Sequence, residues 1–226
     1  MASHFLVIFD CDGVLIDSEV IDVRVGRLVL AQLGLNLSRE EFVKRFVGQT
    51  AAQFTASVEA VLGYRLEATW RDAYAAWYDS AYERDLQAVP GIGKALDAIR
   101  GPICVASNST REKVRRNLAR TGLLERFEPH IYSAEDVPRG KPSPDLFLHA
   151  ARAMNVAPHR CIVVEDSRFG VRAARAAGMR VFAYAGGVTP AEWLRGRRTT
   201  VFSKMIDLPG LIDDALSQQT ETQSRE

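Results

Sequence analysis

The chain has 226 residues, enough to bury a sizeable core in one large domain or two small ones. A net charge of +1 gives no reason to expect a nucleic-acid or an anionic-membrane partner. Three widely spaced cysteines, Cys11, Cys104 and Cys161, argue against a disulfide framework. Because no basic-then-apolar leader precedes Phe5 and no apolar run approaches a membrane span, we expect a soluble cytoplasmic protein.

The first predicted element is a buried strand that ends in two carboxylates. Residues 5–9 are an unbroken apolar run, and Asp10, Asp12 and Gly13 follow it directly. Acids at the end of a buried strand are costly unless a positive charge offsets them, and a divalent cation is the natural candidate. The alternative is that these aspartates only open a turn, and the rest of the chain decides between the two.

The next stretch, from about residue 16 to residue 86, is predicted to be helical throughout. A first amphipathic helix ends near Gly34, and a capping box of Ser38 and Glu41 opens a second helix. Residues 51–62 make a third helix, and aromatic residues recur at helical spacing over 67–84. About 70 helical residues are too many for a single crossover connection and enough for a small bundle. We therefore predict a helical cap over 16–86, inserted into an α/β core formed by 1–15 and 87–226.

After Pro90, strands and helices alternate. Strands are predicted at 103–106, 130–133, 161–164, 181–184 and 200–202, with helices between them, one of which starts at Ser143 as its cap. This alternation predicts a doubly wound, Rossmann-like parallel sheet with helices on both faces. The tail after Leu216 is rich in Gln, Thr and Ser, has little to bury, and is expected to fray.

Polar residues follow the predicted strands at the points where they end. Besides the first two aspartates, these are Ser107-Asn108 and Glu165-Asp166, and Lys141 lies in a Gly-Lys-Pro-Ser-Pro loop before a helix. Ligands of open α/β sheets bind at the carboxyl ends of the strands, so these residues should meet at one site.

The predicted site is rich in oxygen ligands and suits Mg²⁺ and a phosphate ester. Carboxylates of Asp10, Asp12, Glu165 and Asp166 are hard ligands, and Lys141 with the metal would offset the charge of a phosphate dianion. Ser107 and Asn108 can hold its other oxygens. Asp10 is placed to attack phosphorus and form an aspartyl-phosphate, with Asp12 as general acid and then base. The same proton relay could instead serve a second sugar hydroxyl.

These motifs, in this order, resemble the haloacid dehalogenase (HAD) superfamily, in particular its phosphatase and β-phosphoglucomutase-like branch. They are Asp10-Cys-Asp12-Gly13-Val14, Ser107-Asn108, Gly140-Lys141-Pro-Ser-Pro144-Asp145 and Glu165-Asp166-Ser167. The resemblance covers nearly the whole chain, including the helical insertion, which the family uses as a mobile cap. It implies Mg²⁺ held by Asp10, the backbone carbonyl of Asp12 and Asp166, with Glu165 in support.

Within the family, the resemblance favours hydrolysis. Asp12 argues against a dehalogenase, which needs no leaving-group acid. The mutases carry an arginine three residues after a cap-loop glycine, and counted from Gly48 that position here is Ala51. The sequences of several segments most resemble those of bacterial phosphatases that act on sugar phosphates and sugar-acid phosphates, such as 6-phosphogluconate phosphatase.

The expected activity is therefore a Mg²⁺-dependent phosphatase of a small phosphorylated metabolite, and the expected oligomeric state is a monomer. The alternatives are a phosphosugar mutase and a non-enzymatic phospho-switch resembling receiver domains. Glu19, Gln49 and Thr50 are candidate cap or substrate contacts. The basic helix around Arg111–Arg120 is interpreted as a solvated surface, and the aromatic stripe at Trp70–Tyr78 as the core of the cap.

Overall fold

A computed structural model of the chain describes residues 5–47, 49 and 51–223. Within these residues, six strands form one parallel sheet: β1 (Leu6–Phe9), β2 (Ile103–Ser107), β3 (Ile131–Ser133), β4 (Cys161–Glu165), β5 (Arg180–Tyr184) and β6 (Thr199–Phe202). Their spatial order is β3-β2-β1-β4-β5-β6. The chain thus builds outward from β1 on one side and then reverses to the other, which puts the switch point beside β1 and β4. The predicted doubly wound sheet is confirmed.

Strand β1 lies at the centre of the sheet and is buried on both faces. Val7 and Phe9 pack into one apolar cluster and Leu6 and Ile8 into the other, and all four are fully buried. This alternation follows from the two-residue period of a strand, and helices on both faces explain why the run is apolar without a break. The residue that follows β1, Asp10, therefore emerges from the middle of the molecule.

Helices cover both faces of the sheet. One face packs against α5 (Ile92–Ala98), α6 (Arg111–Arg120), α7 (Leu124–Phe127) and α11 (Leu208–Gln223). The other packs against α8 (Asp145–Ala153), α9 (Arg168–Ala176) and α10 (Ala191–Leu194). Because each parallel strand is followed by a helix that returns across a face, the loops after the strands gather at one edge.

The segment between β1 and α5 is helical: α1 (Ser18–Gln32), α2 (Arg39–Phe46), α3 (Ala51–Leu62) and α4 (Ala75–Asp85). It builds two apolar clusters, one around Val23, Phe42 and Phe46 and one around Ile21 and Tyr82. The two chain segments that connect it to the sheet run side by side, since Ile16 bridges Ala88 and the Asp17 N–H donates to the Gln87 carbonyl at 2.9 Å. The helical insertion is therefore present where the sequence predicted it, while its role as a separate cap domain stays a prediction.

At the level of single elements, the predicted capping box is confirmed and three other predictions are wrong. The capping box of Ser38 and Glu41 is present. The aromatic helix begins only at Ala75, after a short 3-10 turn at 72–74. Ser143 does not cap α8, because its hydroxyl donates to the Asp145 carboxylate at 2.7 Å instead. The tail does not fray at Leu216, since α11 continues to Gln223.

None of the helices in the described part of the chain is both long enough and apolar enough to cross a membrane.

Candidate active site

The centre of the candidate site is a buried lysine between two carboxylates. Lys141 Nζ donates to Asp10 Oδ1 at 2.5 Å and to Glu165 Oε1 at 2.7 Å, and all three residues are buried. Asp10 follows β1 and Glu165 ends β4, so the switch point of the sheet brings together residues 155 positions apart in the chain. The second oxygen of Glu165, Oε2, accepts from the backbone N–H and the hydroxyl of Ser167, each at 2.8 Å. Both oxygens of Glu165 are thus engaged in hydrogen bonds.

Asp166 adds a third buried carboxylate to this group. Ligand oxygens of Asp10, Glu165 and Asp166 lie within 4.8 Å of one another. Among the described residues, no hydrogen bond or ion pair reaches the Asp166 side chain, although it is only 2% exposed. A buried carboxylate without a partner is unstable as an anion unless a cation approaches it, so the donor set fits a hard divalent metal.

Burial dominates the electrostatics of these groups. It raises the pKa of Asp10 to about 7, although the Lys141 ammonium opposes that shift. It also raises the pKa of Asp166 well above the ordinary value, and Glu19 and Glu165 add to the effect. Burial works in the opposite direction on Lys141, but the carboxylates of Asp10 and Glu165 outweigh it and raise the lysine pKa above its usual range. One ammonium therefore does not neutralise the cluster.

Two hydroxyl groups bind the Asp12 carboxylate, one at each oxygen. Ser18 Oγ, in the first turn of α1, donates to Asp12 Oδ1 at 2.8 Å, and Ser109 Oγ, after β2, donates to Asp12 Oδ2 at 2.9 Å. A carboxylate that is fixed at both oxygens keeps one orientation, as a general acid or base requires. The contact between the Asp12 backbone carbonyl and Mg²⁺, which the family resemblance implies, stays a prediction.

The predicted phosphate-binding residues lie at the end of β2. Ser107 is buried, and its hydroxyl accepts from the Ser109 N–H at 3.1 Å. Asn108 binds the backbone of Lys141 at both ends of its amide, donating to the carbonyl at 3.0 Å and accepting from the N–H at 2.8 Å. Asn108 thus holds the lysine loop in place and keeps one amide hydrogen for a ligand.

A cavity of about 450 Å³ lies beside this site, between the helical segment and α6. Glu19 and Gln49 are among its lining residues, so two of the three candidate substrate contacts face the same space. The third, Thr50, lies outside the described residues, as does Gly48, from which the mutase comparison was counted.

The structure brings to this region several residues that the sequence interpretation missed. Lys113 and Arg116 were assigned to a solvated helix face, yet both line the cavity. The Ser109 hydroxyl donates to Asp12, while the next residue, Thr110, caps α6. Asp22, which was not singled out, accepts from the Tyr82 hydroxyl at 2.9 Å inside the cavity. Their position in the chain could have indicated a role in the site. A helix that directly follows a strand has its first turns at the same edge of the sheet as the carboxyl end of that strand, where ligands bind.

The site thus combines an open parallel sheet, two aspartates after its first strand, a buried lysine, and two further acids at the end of its fourth strand. This is the arrangement that the sequence motifs predicted for a haloacid dehalogenase-like hydrolase. Residues 6–178 match the family of haloacid dehalogenase-like hydrolases. The chain belongs to that family.

Similar proteins agree with this assignment. The chain is 35% identical over 206 residues to the 6-phosphogluconate phosphatase of Escherichia coli strain K12, covering 91% of this chain and 93% of that one. A conserved haloacid dehalogenase-like protein of unknown function from Agrobacterium tumefaciens superposes with a TM-score of 0.87 at 41% identity, over 94% of this chain and 99% of that one. A HAD family hydrolase from Deinococcus radiodurans, solved with bound phosphate and sodium, superposes with a TM-score of 0.80 at 32% identity, over 95% of this chain and 97% of that one. The predicted family, fold and enzyme class, a phosphoric monoester hydrolase, are confirmed at the level of the family.

Proposed function

We propose that the chain is a Mg²⁺-dependent phosphatase that hydrolyses a small phosphorylated metabolite, a sugar or sugar-acid phosphate, through an aspartyl-phosphate on Asp10. The observation that carries the proposal is the hydrogen bond from Lys141 to Asp10 at the switch point of the sheet. The ammonium fixes the nucleophile and reduces its repulsion of an incoming phosphate dianion. The similarity to a 6-phosphogluconate phosphatase supports the same substrate class.

In the first half of the reaction, an Asp10 carboxylate oxygen forms a bond to phosphorus while the ester P–O bond breaks. The departing oxygen takes a proton from Asp12. In the second half, Asp12 accepts a proton from water, the water oxygen bonds to phosphorus, and the Asp10–phosphorus bond breaks to release inorganic phosphate. Ser18 and Ser109 keep the Asp12 carboxyl in one orientation through both halves.

Asp10 and Asp166 are the side chains best placed to hold Mg²⁺, because both are buried and the Asp166 carboxylate has no other described partner. When bound, the ion supplies positive charge opposite the transferring phosphoryl group. Glu165, whose oxygens are taken by Lys141 and Ser167, orients the lysine rather than ligating the ion. The helical segment α1–α4 acts as the cap over the site, and we expect the enzyme to work as a monomer in the cytoplasm.

The test is phosphate release from a panel of sugar and sugar-acid phosphates and p-nitrophenyl phosphate, with Mg²⁺ and with EDTA. We expect release to require the metal and to fall by at least roughly 10³-fold in Asp10→Asn, because the nucleophile is lost. The matched control is Asp213→Asn, the same change at an exposed position of α11. Equal rates in Asp10→Asn and wild type would refute the proposal.

Two other outcomes would identify the alternatives. Isomerisation of a hexose phosphate after priming with a bisphosphate, without net phosphate release, would indicate a mutase. A stable aspartyl-phosphate on Asp10 without turnover would indicate a phospho-switch.

A further inference from the structure

The cavity beside the site shares a lining residue with a small pocket at the acidic cluster. Glu19 lines both the large cavity and a small pocket that also contains Asp166. The cavity walls come from two parts of the fold: the helical segment supplies most residues, and α6 of the α/β core supplies Lys113 and Arg116. A phosphate bound beside Asp10 would therefore direct the rest of its ester into this space.

Three cationic side chains face the cavity, and two of them, Lys113 and Arg71, oppose the rise that burial causes in the pKa of Asp22. Among the described residues, Arg71, Lys113 and Arg116 take part in no ion pair. Lys113 Nζ lies 5.5 Å from the centre of the Tyr82 ring, and the Arg71 guanidinium lies 5.7 Å from that of Phe54. Glu19, Asp22 and Asp79 line the same cavity, but among the described residues none of them forms an ion pair with these cations. Since Lys141 already faces the transferring phosphate, the three cations stay within reach of a second anionic group.

Hydrogen-bond acceptors in the same cavity suit hydroxyl groups. The Gln49 amide donates from Nε2 to the Arg45 carbonyl at 2.7 Å, which fixes its orientation. Its buried Oε1 accepts no hydrogen bond from the described residues. Asp22 is held by the Tyr82 hydroxyl through one oxygen, Oδ1. The Glu19 carboxylate lies nearer the acidic cluster. A chain of hydroxyl groups would satisfy such acceptors, whereas an apolar leaving group would leave them unpaired.

We propose that the cavity selects a polyhydroxy leaving group that carries a second anionic group, a carboxylate or a phosphate, at the end remote from the scissile phosphate. Arg71 and Arg116 are the residues that determine this specificity. The inference rests on the proposed function and narrows its substrate class from sugar phosphates in general to anionic ones.

The experiment compares two linear six-carbon phosphates that differ only at the far end. Gluconate 6-phosphate ends in a carboxylate and glucitol 6-phosphate in a neutral alcohol, and fructose 1,6-bisphosphate tests a second phosphate. Steady-state phosphate release gives kcat/KM for each, with p-nitrophenyl phosphate as a substrate that lacks a polyol. We expect one or both anionic substrates to exceed glucitol 6-phosphate by about 10-fold or more, since a charge-assisted contact is worth about one order of magnitude.

The variants are Arg71→Met, Arg116→Met and the double variant. They should raise KM for the anionic substrate by roughly 10-fold each with little change in kcat, while the values for glucitol 6-phosphate stay within about 2-fold. Arg115→Met is the control: it removes the same charge from the same helix, but Arg115 is paired with Glu128 and does not line the cavity. The preference should also weaken as the salt concentration rises.

The outcomes separate the two proposals. Phosphate release without any preference for an anionic far end, or variants that affect both substrates equally, would overturn this inference and leave the phosphatase standing. No release from any substrate, including p-nitrophenyl phosphate, would refute the phosphatase and this inference with it. Preference for the bisphosphate over the gluconate ester would identify phosphate as the second anion, and the reverse would identify a carboxylate.

Discussion

Gly13 shows how closely the backbone approaches the buried acids of the candidate site. Its φ of +78° lies in the left-handed region, and a Cβ at this position would overlap the Asp166 carboxylate. Only glycine meets both demands, because the backbone angle is unfavourable for other residues and the carboxylate leaves no room for a side chain. The Asp-x-Asp-Gly sequence therefore encodes the path of the loop as well as its acids.

We predict that Gly13→Ala raises the Mg²⁺ concentration needed for half-maximal activity by at least about 10-fold, because Asp166 must move to make room. The control is Gly63→Ala, where φ is +77° and nothing lies within 4 Å of the added Cβ. Both variants should lose about 1 kcal/mol of unfolding free energy from the backbone alone. A metal titration that gives the same midpoint for Gly13→Ala as for wild type would contradict the prediction.

At the scale of elements, α1 is tied to the catalytic loop through one hydroxyl. Ser18 is fully buried and donates to Asp12, so the start of the helical segment helps to orient the proposed acid and base. We predict that Ser18→Ala lowers kcat by about 10-fold with little change in KM, because Asp12 retains only the Ser109 contact. Phosphate-release kinetics and a thermal melt would measure both effects.

The control for Ser18→Ala is Ser38→Ala, which removes the capping box of α2 without touching the site. It should cost about 1 kcal/mol of stability and leave kcat unchanged. Suppose that the two variants lose the same stability and that Ser18→Ala leaves kcat as unchanged as Ser38→Ala does. The Ser18 hydroxyl would then have only a structural role.

The elements that the sequence predicted well are those fixed by local chemistry or by strong patterns. Three patterns each indicate one structure. The unbroken apolar run indicates a strand buried on both faces, the residues Ser38 and Glu41 indicate a helix start, and the polar residues after β1, β2 and β4 indicate a site at one edge of the sheet. The assembly of Lys141 with Asp10 followed from topology, since parallel strands end at the same edge.

What the sequence could not supply was the direction of side chains on long amphipathic helices. Lys113 and Arg116 have the spacing of an ordinary solvated face, and only the position of the helical insertion turns that face into a cavity wall. Ser143 looked like a cap because its own sequence favours one, but the nearby Asp145 carboxylate competes for the hydroxyl. Both cases depend on tertiary neighbours that a single sequence does not reveal.

At the scale of the whole molecule, the buried acids couple folding to proton and metal binding. Burial raises the pKa of Asp10 to about 7, that of Glu19 to about 8 and that of Asp22 to about 6, each well above the ordinary carboxyl range. Between pH 5 and 8 the folded chain therefore binds more protons at these groups than the unfolded chain does. Stability falls with rising pH wherever the folded state holds the excess of protons.

We predict that, in EDTA, the melting temperature falls as the pH rises from 5 to 8, because burial makes the ionised form of these carboxyls costly in the folded state. Mg²⁺ should restore most of the loss at pH 8, since it binds the ionised acids of the folded chain only. Asp10→Asn removes one of the buried titrating groups and should show a shallower fall in EDTA and a smaller gain from Mg²⁺. Melting temperatures in EDTA that are equal at pH 5 and pH 8, or a metal effect as large in Asp10→Asn as in wild type, would show that the acid cluster does not control stability.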